Sequence, residues 1–209
     1  MLGDKVSPRD KVIMNGEAIR PLPPDKVIYI VLNKPIGVVC TAARNDKRNV
    51  VDFVDHSSRI YPVGRLDKDS QGLIFLTNRC DLVDKILRAD NYHEKEYLVT
   101  VNKEITVDFI AGLSEGVPML RVVTKQCTVV KESRYVFRIT LIQGLNRQIR
   151  RMCKHYNYTV RKLERVRIMH ISSYGLSQGQ WRNLTDEELL TLYQTLDCSE
   201  PDRPSGLIV

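Results

Sequence analysis

Residues 64–77 read Gly-Arg-Leu-Asp-Lys-Asp-Ser-Gln-Gly-Leu-Ile-Phe-Leu-Thr. The first half is polar and carries Arg65, Asp67 and Asp69 between two glycines, whereas the apolar second half predicts a buried strand. Side chains that act on a substrate often lie on such a loop, because the adjoining strand holds the loop rigidly. A plain polar turn between two strands would use the same residue types, so the segment has to be judged together with the rest of the chain.

The composition is that of an ordinary folded domain. The length of 209 residues and the 43% hydrophobic content suit one globular domain. The longest apolar runs, such as residues 27–32, are too short to span a bilayer, and the N-terminus lacks an apolar signal region, so a cytoplasmic protein is expected. The five cysteines show no Cys-x-x-Cys spacing, which argues against a disulfide framework and a zinc site. We therefore expect neither a metal nor another cofactor.

Positive charge is concentrated in the last third of the chain. The formal net charge is +7. Residues 147–167 contain eight basic residues and a single acid, Glu164, so this segment alone accounts for the whole excess. Evenly spread charge would indicate only solubility, whereas a concentrated stripe predicts a surface that contacts phosphate groups.

Four short motifs lie along the chain. They are Asn-Lys-Pro-Ile-Gly at 33–37, Gly-Arg-Leu-Asp at 64–67, Lys-Glu-Tyr-Leu-Val at 95–99, and Gly-Leu-Asn-Arg-Gln-Ile-Arg-Arg-Met at 144–152. In this order, over residues 27–190, they resemble the RsuA/RluB/RluE/RluF-type pseudouridine synthases, in which a Gly-Arg-Leu-Asp loop precedes a Gly-Leu-rich strand. The residues around the motifs resemble the large-subunit ribosomal RNA pseudouridine synthase F branch most.

The resemblance implies a fold for residues 27–198. It is the α/β (α+β) pseudouridine synthase catalytic fold, a long mixed, mostly antiparallel sheet flanked by helices with a central basic cleft. The local patterns are consistent with it, since period-two alternation predicts strands and capping residues predict helix ends. The predicted strands cover residues 27–32, 60–63, 72–76, 94–101, 121–130, 135–142 and 159–171, and the predicted helices cover 50–56, the stretch after Asn78, 106–116, 146–156 and 185–196.

The two ends of the chain are expected to differ from this domain. Residues 1–20 predict a short hairpin with a tight turn at Asn15-Gly16. This hairpin resembles the one that closes the S4-type RNA-binding domain of the family, so we expect a remnant of that domain here. Prolines predict a linker over residues 21–26, and residues 199–209 are expected to form a frayed tail.

The resemblance implies the conversion of uridine to pseudouridine, in which a C–N glycosidic bond breaks, the base turns, and the base rejoins the sugar through carbon. No redox change or metal is needed. The target nucleotide has to leave its stack and be held in a closed pocket. The resemblance assigns Asp67 as the catalytic carboxylate, which either attacks C1′ as a nucleophile or removes the C2′ proton to give a glycal. The two routes stay open.

The resemblance also assigns partners to this carboxylate. Arg150 is implied as a fixed guanidinium that keeps the carboxylate ionised although it is partly desolvated. Tyr97 is implied to stack on the uracil and is a candidate for the base that takes the C5 proton, whereas a half-buried strand tyrosine is the plainer interpretation. Ile149 and Leu66 are expected to pack in the pocket, and Arg65 to fill the place of the flipped base or to hold a neighbouring phosphate.

The helix predicted over residues 146–156 has two contrasting faces. At 100° per residue, its apolar and basic side chains fall on opposite sides. Four like charges on one side repel each other unless an anion screens them, and RNA phosphates would supply that screening. A solvated surface helix would show the same periodicity. Contacts with RNA are expected from Lys34, Arg147, Arg151, Lys154, Arg161, Lys162 and Arg165.

Two other classes of function fit parts of the pattern. A non-catalytic RNA-binding or ribosome-assembly module would predict damage at Asp67, Tyr97 or Arg150, and all three are present. A metal-dependent nuclease would use Asp67 and Asp69 as Mg²⁺ ligands, but no third acid has a suitable spacing, so Asp69 is expected to be a structural turn residue. The expected substrates are ribosomal RNA and, as a second candidate, a tRNA anticodon, and a monomer is expected.

Overall fold

The computed structural model describes residues 12–14, 17–19, 27–42, 48–79, 85–86 and 93–196. The expected Asn15-Gly16 turn, the linker at 21–26 and the tail at 199–209 lie outside these residues. So does most of the helix expected after Asn78, of which only Lys85 and Ile86 are described, and both are helical. In the described part of the chain, no helix is both long enough and apolar enough to cross a membrane.

Strands dominate the described residues. The first two strands pair antiparallel, so the hairpin expected near the N-terminus is confirmed, whereas its assignment to an S4-type domain stays a prediction. The strands are β1 (Val12–Met14), β2 (Glu17–Ile19), β3 (Tyr29–Lys34), β4 (Tyr61–Val63), β5 (Gln71–Thr77), β6 (Lys95–Val101), β7 (Pro118–Met119), β8 (Val122–Val123), β9 (Thr128–Lys131), β10 (Val136–Leu141), β11 (Val160–Ile168), β12 (Ile171–Ser172) and β13 (Trp181–Asn183).

One large sheet organises the domain. Within the described residues it has nine strands, in the order β13-β3-β5-β11-β6-β10-β9, with β4 beside β5 and β12 beside β11. Every neighbouring pair is antiparallel except β5 and β11, which run parallel. The expected mixed, mostly antiparallel sheet is therefore confirmed, and the parallel pair lies at its centre.

Both faces of the sheet are covered by apolar side chains. On β3, Ile30 and Leu32 join one buried cluster, while Tyr29 and Val31 join the other, which explains why this strand is apolar throughout. Three described helices contribute to the first cluster, and the second contains residues of the last described helix together with the helical Ile86. The described helices are α1 (Val50–Val54), α2 (Val107–Glu115), α3 (Gln148–His155) and α4 (Asp186–Thr195).

The helix ends follow the expected capping chemistry. The Thr106 hydroxyl accepts the Phe109 amide at the start of α2, and Gly116 ends that helix at φ 107°. Thr185 and Glu188 form a reciprocal capping box at the start of α4. These local signals therefore placed both helices correctly.

Three expected strands differ from the structure, and the one expected over 159–171 ends at Ile168 and turns back as β12. The first strand runs to Lys34 instead of ending at Leu32, because its backbone continues to pair with β5 as far as Gly72. The strand expected over 121–130 is interrupted, because the Thr124 hydroxyl turns back to accept the Val117 amide at 2.9 Å. The chain instead forms the β7–β8 hairpin and, after a break, β9.

Candidate active site

The loop between β4 and β5 carries Asp67, the carboxylate expected to be catalytic. The Ser70 amide donates to the Asp67 carbonyl at 3.0 Å. The Gly37 amide, from the loop after β3, donates to the Lys68 carbonyl at 2.8 Å. Leu66 is buried immediately before the carboxylate. Backbone contacts and burial thus hold Asp67 in place, as a loop that orients a reacting group requires.

Two arginines at the start of α3 face both carboxylates of this loop. Arg147 Nη1 lies 3.2 Å from Asp67 Oδ2 and 3.3 Å from Asp69 Oδ1. Arg150 Nε lies 3.7 Å from the same Asp67 oxygen. Arg150 Nη2 lies 3.2 Å from Asp69 Oδ2 and donates to the Ser70 hydroxyl at 3.1 Å. The fold therefore brings Asp67 and Arg150 together, as the family pattern implied.

The two arginines are held differently. The Arg150 side chain is only 14% exposed, and its Nη2 also donates to the Asp69 carbonyl at 3.0 Å, so it is fixed to the loop backbone. The Arg147 side chain is 41% exposed. Its backbone is left-handed, with φ 50° and ψ 36°, at the residue that precedes the first turn of α3. This conformation costs a non-glycine residue about 1–2 kcal/mol.

The pairing of Arg147 was not foreseen, since this residue was expected to contact RNA and Asp69 was expected to be a simple turn residue. The pattern contained one signal for it, because Arg147 and Arg150 are three positions apart and so lie on the same side of a helix. When the guanidinium of one of these arginines reaches the loop carboxylates, the guanidinium of the other therefore lies close to them as well.

The charges of this cluster influence each other. Partial burial alone would raise the pKa of the Asp69 carboxyl, but the hydrogen bond from Arg147 and the charge of Arg150 outweigh burial and lower the pKa below its usual value. The same hydrogen bond raises the pKa of Arg147. Arg147 and Arg150 therefore favour the ionised form of Asp69.

The same geometry is unfavourable for a divalent cation. Asp67 and Asp69 already face two guanidinium groups, whose positive charge would repel Mg²⁺. Among the described residues, no group of three His, Cys, Asp or Glu side chains is placed to hold a metal ion. The arrangement suits a carboxylate that acts directly on a substrate.

Tyr97 lies on β6, on the face of the sheet that α3 covers. The strand alternates strictly between buried and half-buried residues, and Tyr97 is one of the buried ones, so the expected alternation is confirmed. Leu66 and Ile149 belong to the same buried apolar cluster as Tyr97. The three side chains that were expected to line the pocket therefore lie in one buried cluster.

A row of paired residues crosses the sheet beneath the loop. Lys34 on β3 pairs with Gly72 on β5, Gly72 pairs with Arg165 on β11, and Arg165 pairs with Tyr97 on β6. Directly paired residues point to the same face of a sheet. Lys34 and Arg165 therefore share the face of Tyr97, and Gly72 contributes no side chain between them.

Lys34 and Arg165 are not on the surface, in contrast to expectation. Lys34 is fully buried within β3 and donates from Nζ to the carbonyls of Pro35 and Val38, both at 2.9 Å. Burial lowers the pKa of its ammonium group. Arg165 is 4% exposed, and its Nε donates to the Leu73 carbonyl at 2.6 Å. Both residues were expected to contact RNA, but each belongs to a central strand and neither side chain is exposed.

Other basic residues do face solvent. Within β11, Lys162 forms an ion pair with Glu164 at 2.7 Å. On α3, Arg151 donates from Nε to the Asn146 carbonyl at 3.0 Å, which directs its guanidinium along the helix surface. The site residues with exposed side chains are Arg65, Arg147, Arg151, Lys154, Arg161 and Lys162.

Known proteins resemble this chain over most of its length. A dual-specificity RNA pseudouridine synthase, RluF, of Escherichia coli strain K12 is 58% identical over 201 residues, which cover 96% of this chain and 69% of that protein. The ribosomal large subunit pseudouridine synthase B of Bacillus subtilis strain 168 is 31% identical over 205 residues, covering 94% of this chain and 82% of that protein.

The fold and the family pattern agree with these relatives. A crystal structure of a pseudouridylate synthase superposes with a TM-score of 0.75 at 27% identity, covering 90% of this chain and 82% of that one. The family model of RNA pseudouridylate synthases matches residues 28–155, which include the Asp67 loop, Tyr97 and α3. The chain therefore belongs to the RNA pseudouridylate synthase family, among its RsuA/RluF-type members.

Proposed function

We propose that this protein isomerises uridine to pseudouridine in large-subunit ribosomal RNA, with Asp67 as the catalytic carboxylate. The observation that carries the proposal is the position of Asp67, which lies on a rigid loop, between two guanidinium groups, over the sheet face of Tyr97. The names of the relatives support the reaction and the RNA substrate.

Asp67 has to be ionised in order to act at the sugar. Arg150 supports this state, because its side chain is fixed by Asp69 and Ser70 and its positive charge cannot move away. Arg147 is more exposed, so it can exchange a carboxylate for a phosphate when RNA binds. A nucleophilic attack on C1′ and removal of the C2′ proton both require a carboxylate beside a fixed positive charge, which Asp67 and Arg150 supply. Both routes therefore remain open.

The flipped base needs an apolar surface beside the carboxylate. Tyr97, Leu66 and Ile149 supply one, since their side chains belong to one cluster. We propose that the uracil stacks on the Tyr97 ring and that the phenol is the candidate base for the C5 proton. Arg65, exposed on the loop, fills the place of the flipped base or holds a neighbouring phosphate.

The exposed basic side chains of α3 and β11 supply the affinity for RNA. Phosphate contacts position a nucleic acid without reading its sequence, so the choice of uridine falls to the pocket and its surrounding loops. A tRNA anticodon is proposed as a second substrate, in agreement with the dual specificity named for the Escherichia coli relative. We further propose that the protein acts as a cytoplasmic monomer and uses no cofactor.

Tritium release from ribosomal RNA labelled as [5-³H]uridine tests this function. The wild-type protein should release tritium with and without EDTA, because the proposed reaction uses no metal. Asp67→Asn should abolish release while it preserves the shape of the residue. Loss of activity in EDTA would favour metal chemistry, and no release from any ribosomal or transfer RNA would contradict the proposed function in favour of a binding protein.

A further inference from the structure

The candidate site lies across a narrow junction in the sheet. Among the described residues, β5 and β11 share two residue pairs, Gln71 with Glu164 and Gly72 with Arg165, whereas β3 pairs with β5 along its whole length. Asp67 belongs to the side of the junction that contains β4 and β5. Tyr97 belongs to the other side, on β6. The separation of these two groups therefore depends on how β5 is held against β11.

The strands approach each other unusually closely at this junction. A Cβ atom built on Gly72 would overlap the Arg165 carbonyl oxygen and lie 2.5 Å from the Arg165 nitrogen. On the face away from the site, Gln71 Nε2 donates to Glu164 Oε2 at 3.0 Å. That side-chain bond joins the two strands on the face of the sheet away from the site.

Arg165 provides a second connection between the two strands. Its Nε donates to the Leu73 carbonyl on β5 at 2.6 Å, while its backbone pairs with Tyr97 on β6. Its Nη2 is buried and has no hydrogen-bond partner among the described residues. Burying a guanidinium group without a carboxylate partner is costly, so apolar packing alone does not account for an arginine here. The hydrogen bond that Arg165 makes across the junction to β5 accounts for an arginine at this position.

We propose that Arg165 is a positioning residue for the isomerisation. It holds β5 against the Tyr97 strand, so that the Asp67 carboxylate and the Tyr97 ring keep the separation that a flipped uridine requires. This inference rests on the proposed function. It assigns Arg165 no contact with RNA, in contrast to the role expected from the basic sequence segment.

The test compares Arg165→Met, Arg165→Lys and the control Arg134→Met, which removes an exposed arginine that pairs with Glu104. Single-turnover pseudouridine formation and RNA affinity are measured separately, at a temperature at which circular dichroism shows each variant folded. Misplacement of reacting groups by about 1 Å costs on the order of 100-fold in rate. Arg165→Met should therefore lose about that factor in the single-turnover rate, with the RNA Kd unchanged.

The lysine variant separates the possible roles. Lysine still reaches the Leu73 carbonyl with a donor but lacks the planar fork, so Arg165→Lys should be slower than the wild type and faster than Arg165→Met. A purely structural role would lower the melting temperature without changing the rate per folded molecule. Arg134→Met should leave both the rate and the RNA affinity unchanged.

Three results would overturn the inference. Variants of Arg165 with the wild-type rate would show that the connection is dispensable, and Arg165→Lys decides this alone if Arg165→Met does not fold. A loss that appears only in Kd, with a weaker dependence on salt, would indicate a phosphate contact instead. A wild-type protein without any activity would refute the proposed function. That result differs from the first one, in which the wild type and the Arg165 variants are both active.

Discussion

Replacing Gly72 with alanine tests how closely β5 and β11 must approach. Gly72 has φ +108°, a conformation that L side chains rarely adopt, and a methyl group there would overlap the backbone of Arg165. Neither strand can move freely, because β5 is also bound to β3 and β11 is also bound to β6. The substitution should therefore strain the centre of the sheet.

The magnitude follows from two contributions. The left-handed backbone costs alanine about 1–2 kcal/mol, and inserting a methyl group into a closely packed contact costs about 1–3 kcal/mol. Together they lower the free energy of unfolding by about 3 kcal/mol, which corresponds to a fall in melting temperature of roughly 10 °C for a chain of this size. Pseudouridine formation per folded molecule should fall as well, since the same strands hold Asp67 and Tyr97.

Thermal unfolding followed by circular dichroism measures the first effect, and single-turnover tritium release measures the second. Gly175→Ala is the matched control, because Gly175 also has a positive φ, +73°, but no atom lies within 4 Å of the added Cβ. It should lose only the backbone contribution of about 1–2 kcal/mol and keep its activity. Equal losses in the two variants would refute the argument from close approach.

Three further predictions concern charge and burial. The pKa of Asp69 lies below its usual value of 3.8 in the folded protein, so its ion pairs stabilise the fold above about pH 4. This small contribution is lost as the pH falls further. The melting temperature of the wild type should therefore drop more steeply below about pH 4 than that of Asp69→Asn. Burial raises the pKa of the Cys153 thiol to about 12, so iodoacetamide near neutral pH should label it, by peptide mass mapping, only after unfolding. In a plot of log RNA affinity against log salt concentration, Arg151→Ala should reduce the slope by about one. Arg134→Ala, which removes the exposed partner of Glu104, should leave the slope unchanged.

Structural features that depend on nearby residues were predictable from the sequence, whereas features that depend on distant residues were not. The alternation of β6, the caps of α2 and α4, and the loop that precedes β5 were predictable, because each depends on residues within one turn or one strand. The order of the four motifs was sufficient to indicate the family. It also implied that Asp67 and Arg150 act together, and the structure places them 3.7 Å apart.

The features that the sequence did not predict involve residues whose neighbours are distant in the chain. Lys34 was expected in a loop and Arg165 in a basic stretch, and both were expected to contact RNA because lysine and arginine are rarely buried. Their burial follows from the sheet order, which places β5 between β3 and β11 and surrounds both side chains with other strands. Composition and periodicity carry no information on that order.

The sequence by itself determined most strands, the caps of two helices, the concentration of positive charge, the family, and a candidate for the catalytic carboxylate. Only the tertiary structure decided which cations are partners within the site and which face solvent. Arg147 meets both loop carboxylates, and Arg165 joins the two sides of the sheet. The physical reason is that local conformation depends on neighbouring residues, whereas the burial and pairing of a charge depend on which distant strands the fold places beside it.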